Sequence, residues 1–179
     1  MSSLQTNNDE LVASKEKMIN DLNCEIDQTS RHIEALNKTI DDLSDQIADS
    51  DTVKSKKAKV LELESTLETR IRALKKEVSF FHDHDNCPTC KQGIDHDFKT
   101  ERLNNRQTQL SEVEEALSKL GSKVEAINSR IEEITYVNTQ ITSLNNEITD
   151  CNGDIRSWNN SITTLRKEIE TIQIGRAHV

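Results

Sequence analysis

The sequence predicts an all-α chain: a long antiparallel coiled-coil hairpin with a Cys-x-x-Cys loop at its apex. Three observations lead there. Apolar residues recur every three or four positions along most of the 179 residues, on both sides of one interruption. Composition is 31% charged and only 3% aromatic, too few large side chains for a compact core but enough for a narrow seam. The interruption, Phe81 to Ile94, holds the only proline and the only closely spaced cysteine pair.

Residues 1–10 are polar and acidic and are expected to be frayed or disordered. The ascending arm, 11–82, begins with isoleucine at every seventh position: Ile19, Ile26, Ile33, Ile40 and Ile47. Leu22, Thr29, Leu36, Leu43 and Ser50 follow each by three. A seven-residue repeat keeps one stripe turned to a partner helix in a left-handed supercoil. From Asp49 to Lys59 the pattern is disturbed, and it resumes as Val60, Leu67, Ile71, Leu74, Val78 and Phe81 with its phase moved by three residues. Such a shift is a stammer, which overwinds a supercoil locally. Lys54, Lys56, Lys57 and Lys59 cluster there and read as a solvated face, with phosphate contact as the rival reading.

The apex loop is 83–97. Pro88 and Gly93 among short polar residues exclude a continuous helix, and Gly93 offers a position for φ > 0 where the chain reverses. The descending arm, 98–173, has its seam at Leu103, Leu110, Val113, Leu117, Leu120, Val124, Ile127, Ile131 and Ile134. Asn138 is then expected in the core as a register-fixing polar residue. After a second three-residue shift the seam continues from Ile141 through Leu144, Ile148, Cys151, Ile155, Trp158, Ile162, Leu165, Ile169 and Ile172. Gly121 and Gly153 fall off the seam. Arms of roughly seventy residues, each on the order of 100 Å long, fold about residue 90. Leu11 is thereby set against Ile169, Leu22 against Trp158, and Phe81 near Phe98. Residues 174–179, Ile-Gly-Arg-Ala-His-Val, break the pattern and match one reading frame of a common sequencing-library adapter, so they are expected to be a non-native tail.

A net charge of −9 makes most of the chain a poor partner for nucleic acid. No apolar leader and no apolar run of membrane-spanning length occur, and a cysteine pair without a secretory leader points to a reducing interior, hence a cytoplasmic location.

Cys87-Pro88-Thr89-Cys90 is the chemically informative element. Two intervening residues let one tight turn aim both sulfurs at a single point, and thiolates in tetrahedral sets favour zinc. A structural zinc needs four ligands, and no second Cys-x-x-Cys exists in the chain. Three answers remain open. A second copy supplies another Cys87 and Cys90, giving one zinc per two chains; two of His82, His84 and His96 complete an intrachain knuckle for an unrelated partner; or the pair is a thiol–disulfide couple without metal. The histidines, interleaved with Asp83, Asp85, Asp95 and Asp97, otherwise read as a hydrated tip. Cys24 and Cys151 are expected to be free thiols, the latter on the seam.

Heptads, a Cys-Pro-Thr-Cys tip and returning heptads together resemble the zinc-hook region of the SMC-like double-strand-break repair ATPases, the SbcC family. Phe80-Phe81 through Cys87-Pro88-Thr89-Cys90 to Ile94 and Phe98-Lys99 looks most like the large recombination-endonuclease subunits of T-even-type phages. Lys91 departs from the pattern, standing where many cysteine knuckles place glycine. The resemblance implies a zinc-hook loop with Cys87 and Cys90 as metal ligands, a homodimer sharing one zinc, and a role in DNA recombination and repair beside a nuclease subunit. In a phage-encoded protein the location would be the host cytoplasm. It further implies ATPase lobes that bind ATP and Mg²⁺. No G-x-x-x-x-G-K-[ST] loop occurs here, so this chain is not expected to be an enzyme by itself, but the central part of a longer protein.

Overall fold

The computed structural model describes the backbone of residues 2–177 and the side chains of residues 6–175. The protein is all-α. Three helices follow in order: α1 (Ser2–Gln46), α2 (Ser50–Asp83) and α3 (His96–Ala177). No strand occurs among the described residues; an isolated antiparallel bridge joins Asn86 and Gly93. None of the described helices is long and apolar enough to cross a membrane.

The chain divides into two compact units. One combines α1 with α3 from Tyr136 onward; the other is Ala48–Thr135. In the first, α1 and α3 run antiparallel, since Lys15 pairs with Glu168 and His32 with Glu147 at 2.8 Å. In the second, α2 and α3 do the same: Lys75 meets Glu114 at 2.9 Å, Glu77 meets Arg106 at 2.6 Å, and the Phe81 and Phe98 rings sit edge to face at 6.3 Å. Within each unit the pairing is antiparallel.

Burial follows the apolar repeat. The buried side chains are Ile19, Leu36 and Ile162 in the first unit, and Val53, Ile71, Leu74, Leu120 and Ile134 in the second. Among the described residues Leu74 alone is fully enclosed, and no polar side chain is buried. A two-helix contact gives each apolar residue one facing helix, so most seam residues stay half-exposed.

Three features differ from the sequence-based expectation. The stammer is resolved by interruption rather than overwinding: α1 stops at Gln46, the turn at 47–49 intervenes, and Val53 occupies the seam three residues after Ser50. Spacings of three twice in succession demand a tighter winding than an α-helix allows, and a short turn absorbs the mismatch. Asn138 is exposed, and the half-buried Val137 holds the seam between Ile134 and Ile141. The second shift therefore falls three residues after Ile134, where an apolar residue is available. At the N-terminus α1 begins at Ser2, ahead of the Leu11 start that apolar spacing suggests. The proposed tail lies partly outside the described residues; α3 runs through its first four, to Ala177.

α3 is rich in Asn, Thr and Ser, which are weak helix formers. Many of these side chains satisfy themselves on the carbonyl four residues back, among them Thr142, Asn145, Thr149, Asn152, Asn159 and Thr163.

Candidate metal centre

α2 ends where the chain must turn. His84 adopts an extended conformation, and its N–H donates to the Phe80 carbonyl at 3.2 Å. Its Nδ1 reaches the same oxygen at 3.1 Å, and its ring stacks on Phe80 with centroids 5.1 Å apart. A carbonyl can only accept, so Nδ1 carries the proton in this contact. The apex then narrows into a short hydrogen-bonded finger. Ile94 N–H donates to Asp85 O, Asn86 bridges Gly93, and Cys87 N–H donates to Gln92 O, with both hydrogen bonds at 2.8 Å.

The chain reverses through Pro88-Thr89-Cys90, closed by the Lys91 N–H donating to Cys87 O at 2.8 Å. Lys91 has φ 61°, in the left-handed region. This corrects the role expected of Gly93, which does not have positive φ. A Cβ at Gly93 would meet only Asn86 Oδ1, at an ordinary 3.6 Å. The reversal is completed one residue after Cys90, because the turn must bring its next N–H back to Cys87 O.

Cys87 is half-buried, Cys90 is exposed, and both are free thiols. The Cys87 thiol is held below its ordinary pKa, first by the backbone N–H of Cys90, then by that of Thr89 and by the Cys90 side chain. Amide dipoles aimed at the sulfur stabilise the thiolate. Cys90 Sγ faces Gln92 Oε1 at 3.7 Å. Two thiols on one tight turn, with N–H groups directed at one of them, suit a soft divalent cation such as zinc. Among the described residues no three His, Cys, Asp or Glu side chains converge on one point.

The other candidate groups have local partners. His82 Nδ1 contacts Asp83 Oδ1 at 2.8 Å, and Asp83 also accepts from Ser79 Oγ at 2.9 Å. The His82 contact leads in holding the Asp83 carboxyl below its ordinary pKa, with Ser79 next. Asp85 pairs with Lys99 Nζ at 2.6 Å. Asp95 accepts the Phe98 N–H at 2.9 Å and so caps the start of α3. Arg102 lies over the Phe98 ring, 5.2 Å from its centroid. His82, Asp83, Asp85, Asp95, His96 and Asp97 are all exposed, as a hydrated tip requires, and several of them also cap a helix or pair with a neighbour. Asp95 was recognisable in sequence as an N-cap residue ahead of an apolar repeat; the contacts of His84 and Arg102 carry no such signal. His96 opens α3. Cys24 is exposed on α1 and Cys151 half-buried on α3; both are free.

The lysine cluster does not form one face. Lys57 is half-buried beside Val60, Leu61, Val124, Ile127 and Asn128, while Lys54, Lys56 and Lys59 are exposed and Lys54 reaches Asp51 at 3.7 Å.

A family model described as a domain of unknown function (DUF8221) matches residues 98–179, which excludes the cysteine pair. No curated protein matches the chain.

Proposed function

We propose that this chain is an antiparallel coiled-coil hairpin whose apex supplies half of a zinc site, and that it works as a metal-dependent tether between two copies. The observation that carries this reading is the pairing of Cys87 and Cys90 on a closed turn that offers two sulfur donors. A tetrahedral ion needs four, and a second apex is the economical source of the other two. The helices act as spacers and carry no chemistry. The resemblance to SbcC-like hooks extends the proposal: the tether would serve a recombination and repair ATPase acting on DNA with a nuclease subunit. ATP and Mg²⁺ would be bound by lobes outside residues 1–179.

An intrachain knuckle would draw on His82 or His84 through Nε2, since their Nδ1 atoms contact Asp83 and the Phe80 carbonyl as the outer ring nitrogens of metal-ligating histidines commonly do. A thiol–disulfide role is the second reading, and the depressed Cys87 thiol favours it. The two separate by experiment. Metal analysis with light scattering should give one zinc per two chains in a dimer that a chelator dissociates, with helical content retained. Cys90→Ser should abolish both metal and dimer. A dimer indifferent to chelation, or one zinc per monomer, overturns the tether; disulfide-exchange activity that survives chelation establishes the redox reading.

A further inference from the structure

We propose that Lys91 is the charge partner of the apex thiolates, retained at a backbone position that disfavours it because its ammonium offsets the negative charge gathered there. The inference rests on the reading of the apex as half of a shared zinc site.

Lys91 alone among the described non-glycine residues has positive φ, at 61°. That conformation brings Cβ against the backbone, a cost glycine does not bear. The backbone function of the position, an N–H returned to Cys87 O at 2.8 Å, needs no side chain. A residue held in a disfavoured conformation where glycine would serve is a pointer to what its side chain does.

The electrostatic surroundings supply that role. Ligand thiols must be deprotonated, and four thiolates around one divalent cation leave a net dianion. The apex is already acidic: Asp83, Asp85, Asp95 and Asp97 stand against Lys91 and Lys99, in a chain of net charge −9. Lys99 is committed to Asp85 at 2.6 Å. Lys91 is exposed and takes part in none of the ion pairs found among the described residues. It follows Cys90 directly in the chain, so a two-fold assembly would bring two Lys91 residues to one site. Without them, two acidic apices would close around a further negative centre.

Zinc titration against a competing chromophoric chelator, with dimerisation followed by light scattering, tests this in the full chain. Lys91→Gln should weaken zinc-linked dimerisation on the order of tenfold at low ionic strength. Lys91→Arg should stay close to wild type, and the Gln deficit should shrink at about 1 M salt, where the Debye length falls to about 3 Å. Lys91→Gly is the decisive variant. It relieves the backbone conformation, so a purely structural position predicts a more stable apex and equal or tighter zinc binding. The charge role predicts a more heat-resistant metal-free chain that nevertheless binds zinc more weakly. If wild type loads one zinc per two chains and the Gly variant loads it equally well, the role of Lys91 is refuted while the tether stands. A wild-type chain that takes up no zinc refutes both.

Discussion

Arg130 grips Asp49 with two parallel contacts, Nε to Oδ2 at 3.1 Å and Nη2 to Oδ1 at 2.8 Å, while its Nη1 holds Glu133 at 2.8 Å. Asp49 is the N-cap residue of α2, yet its side chain makes no capping hydrogen bond. The carboxylate that would ordinarily satisfy the first turn of α2 is turned to α3 instead. The helix interruption that the stammer creates is thus fastened at the start of α2.

The pair sets a pH dependence. The Arg130 hydrogen bond is the leading cause holding the Asp49 carboxyl below its ordinary value of 3.8. A depressed folded-state pKa contributes stability that is present above the unfolded value and lost as pH falls through the folded one. The contribution of this pair should therefore be constant at neutral pH and vanish only on the acid limb, below about pH 4. Carboxyl NMR titration should place Asp49 below the ordinary aspartate value in wild type and move it up in Arg130→Ala. Both groups are solvent-accessible, so added salt should diminish the difference. An Asp49 titration unchanged in Arg130→Ala would show that the contact does not persist in solution.

Leu74 identifies the most enclosed point of the seam, with 0% of its surface exposed, whereas Leu61 on the same helix is 45% exposed. Truncating an enclosed leucine removes its transfer free energy and leaves a cavity. Leu74→Ala should cost about 3 kcal/mol of unfolding free energy, and Leu61→Ala about 0.5 kcal/mol or less. Urea denaturation monitored by helical circular dichroism measures both. Equal losses would mean that the seam is not where stability is concentrated.

The contrast between these leucines was legible in sequence, because heptad burial depends on one-dimensional spacing. Ile19 through Ile47 and Ile141 through Ile172 were assigned to the seam from periodicity alone, and the burial pattern agrees. What periodicity could not place was the answer to a broken repeat. A three-residue shift can be met by overwinding or by a turn, and the choice depends on tertiary partners such as Arg130. It can also fall at either of two adjacent residues, so Val137 rather than Asn138 faces inward. At the apex the Cys-x-x-Cys was plain, but the residue in the left-handed conformation was not. Gly93 has the permissive backbone, yet the hydrogen bond to Cys87 O selects Lys91.

Gly121 and Gly153 lie within α3, and a Cβ at either would meet nothing within 4 Å. Helical backbone suits alanine at both positions, and glycine's cost there arises in the unfolded chain's greater freedom. Gly121→Ala and Gly153→Ala should each stabilise by about 0.4–1 kcal/mol, and the double variant should be nearly additive because the sites are 32 residues apart on one helix. Thermal melts would reveal this as a raised midpoint. A loss of stability in either would indicate that the site packs against something, such as a second chain.

Asp95 links the candidate metal turn to α3. Its Oδ1 accepts the Phe98 N–H at 2.9 Å and its carbonyl accepts the Lys99 N–H at 2.9 Å, so the helix starts immediately after the finger closed by Ile94. Removing the side-chain acceptor leaves a first-turn amide without a partner, at a cost of about 1 kcal/mol. Asp95→Ala should therefore lower stability by about that amount and accelerate hydrogen exchange at Phe98 and its neighbours, with exchange deep in α3 unaffected. Asp95→Asn keeps an acceptor oxygen and should recover most of the loss. Because Phe98 packs edge to face on Phe81 at 6.3 Å, fraying here should also loosen the aromatic contact beneath the apex. On the tether reading, zinc-linked dimerisation of Asp95→Ala should weaken in step with that fraying and return in Asp95→Asn. Equal zinc binding in wild type and Asp95→Ala would instead show that the cysteine turn is held by its own hydrogen bonds alone.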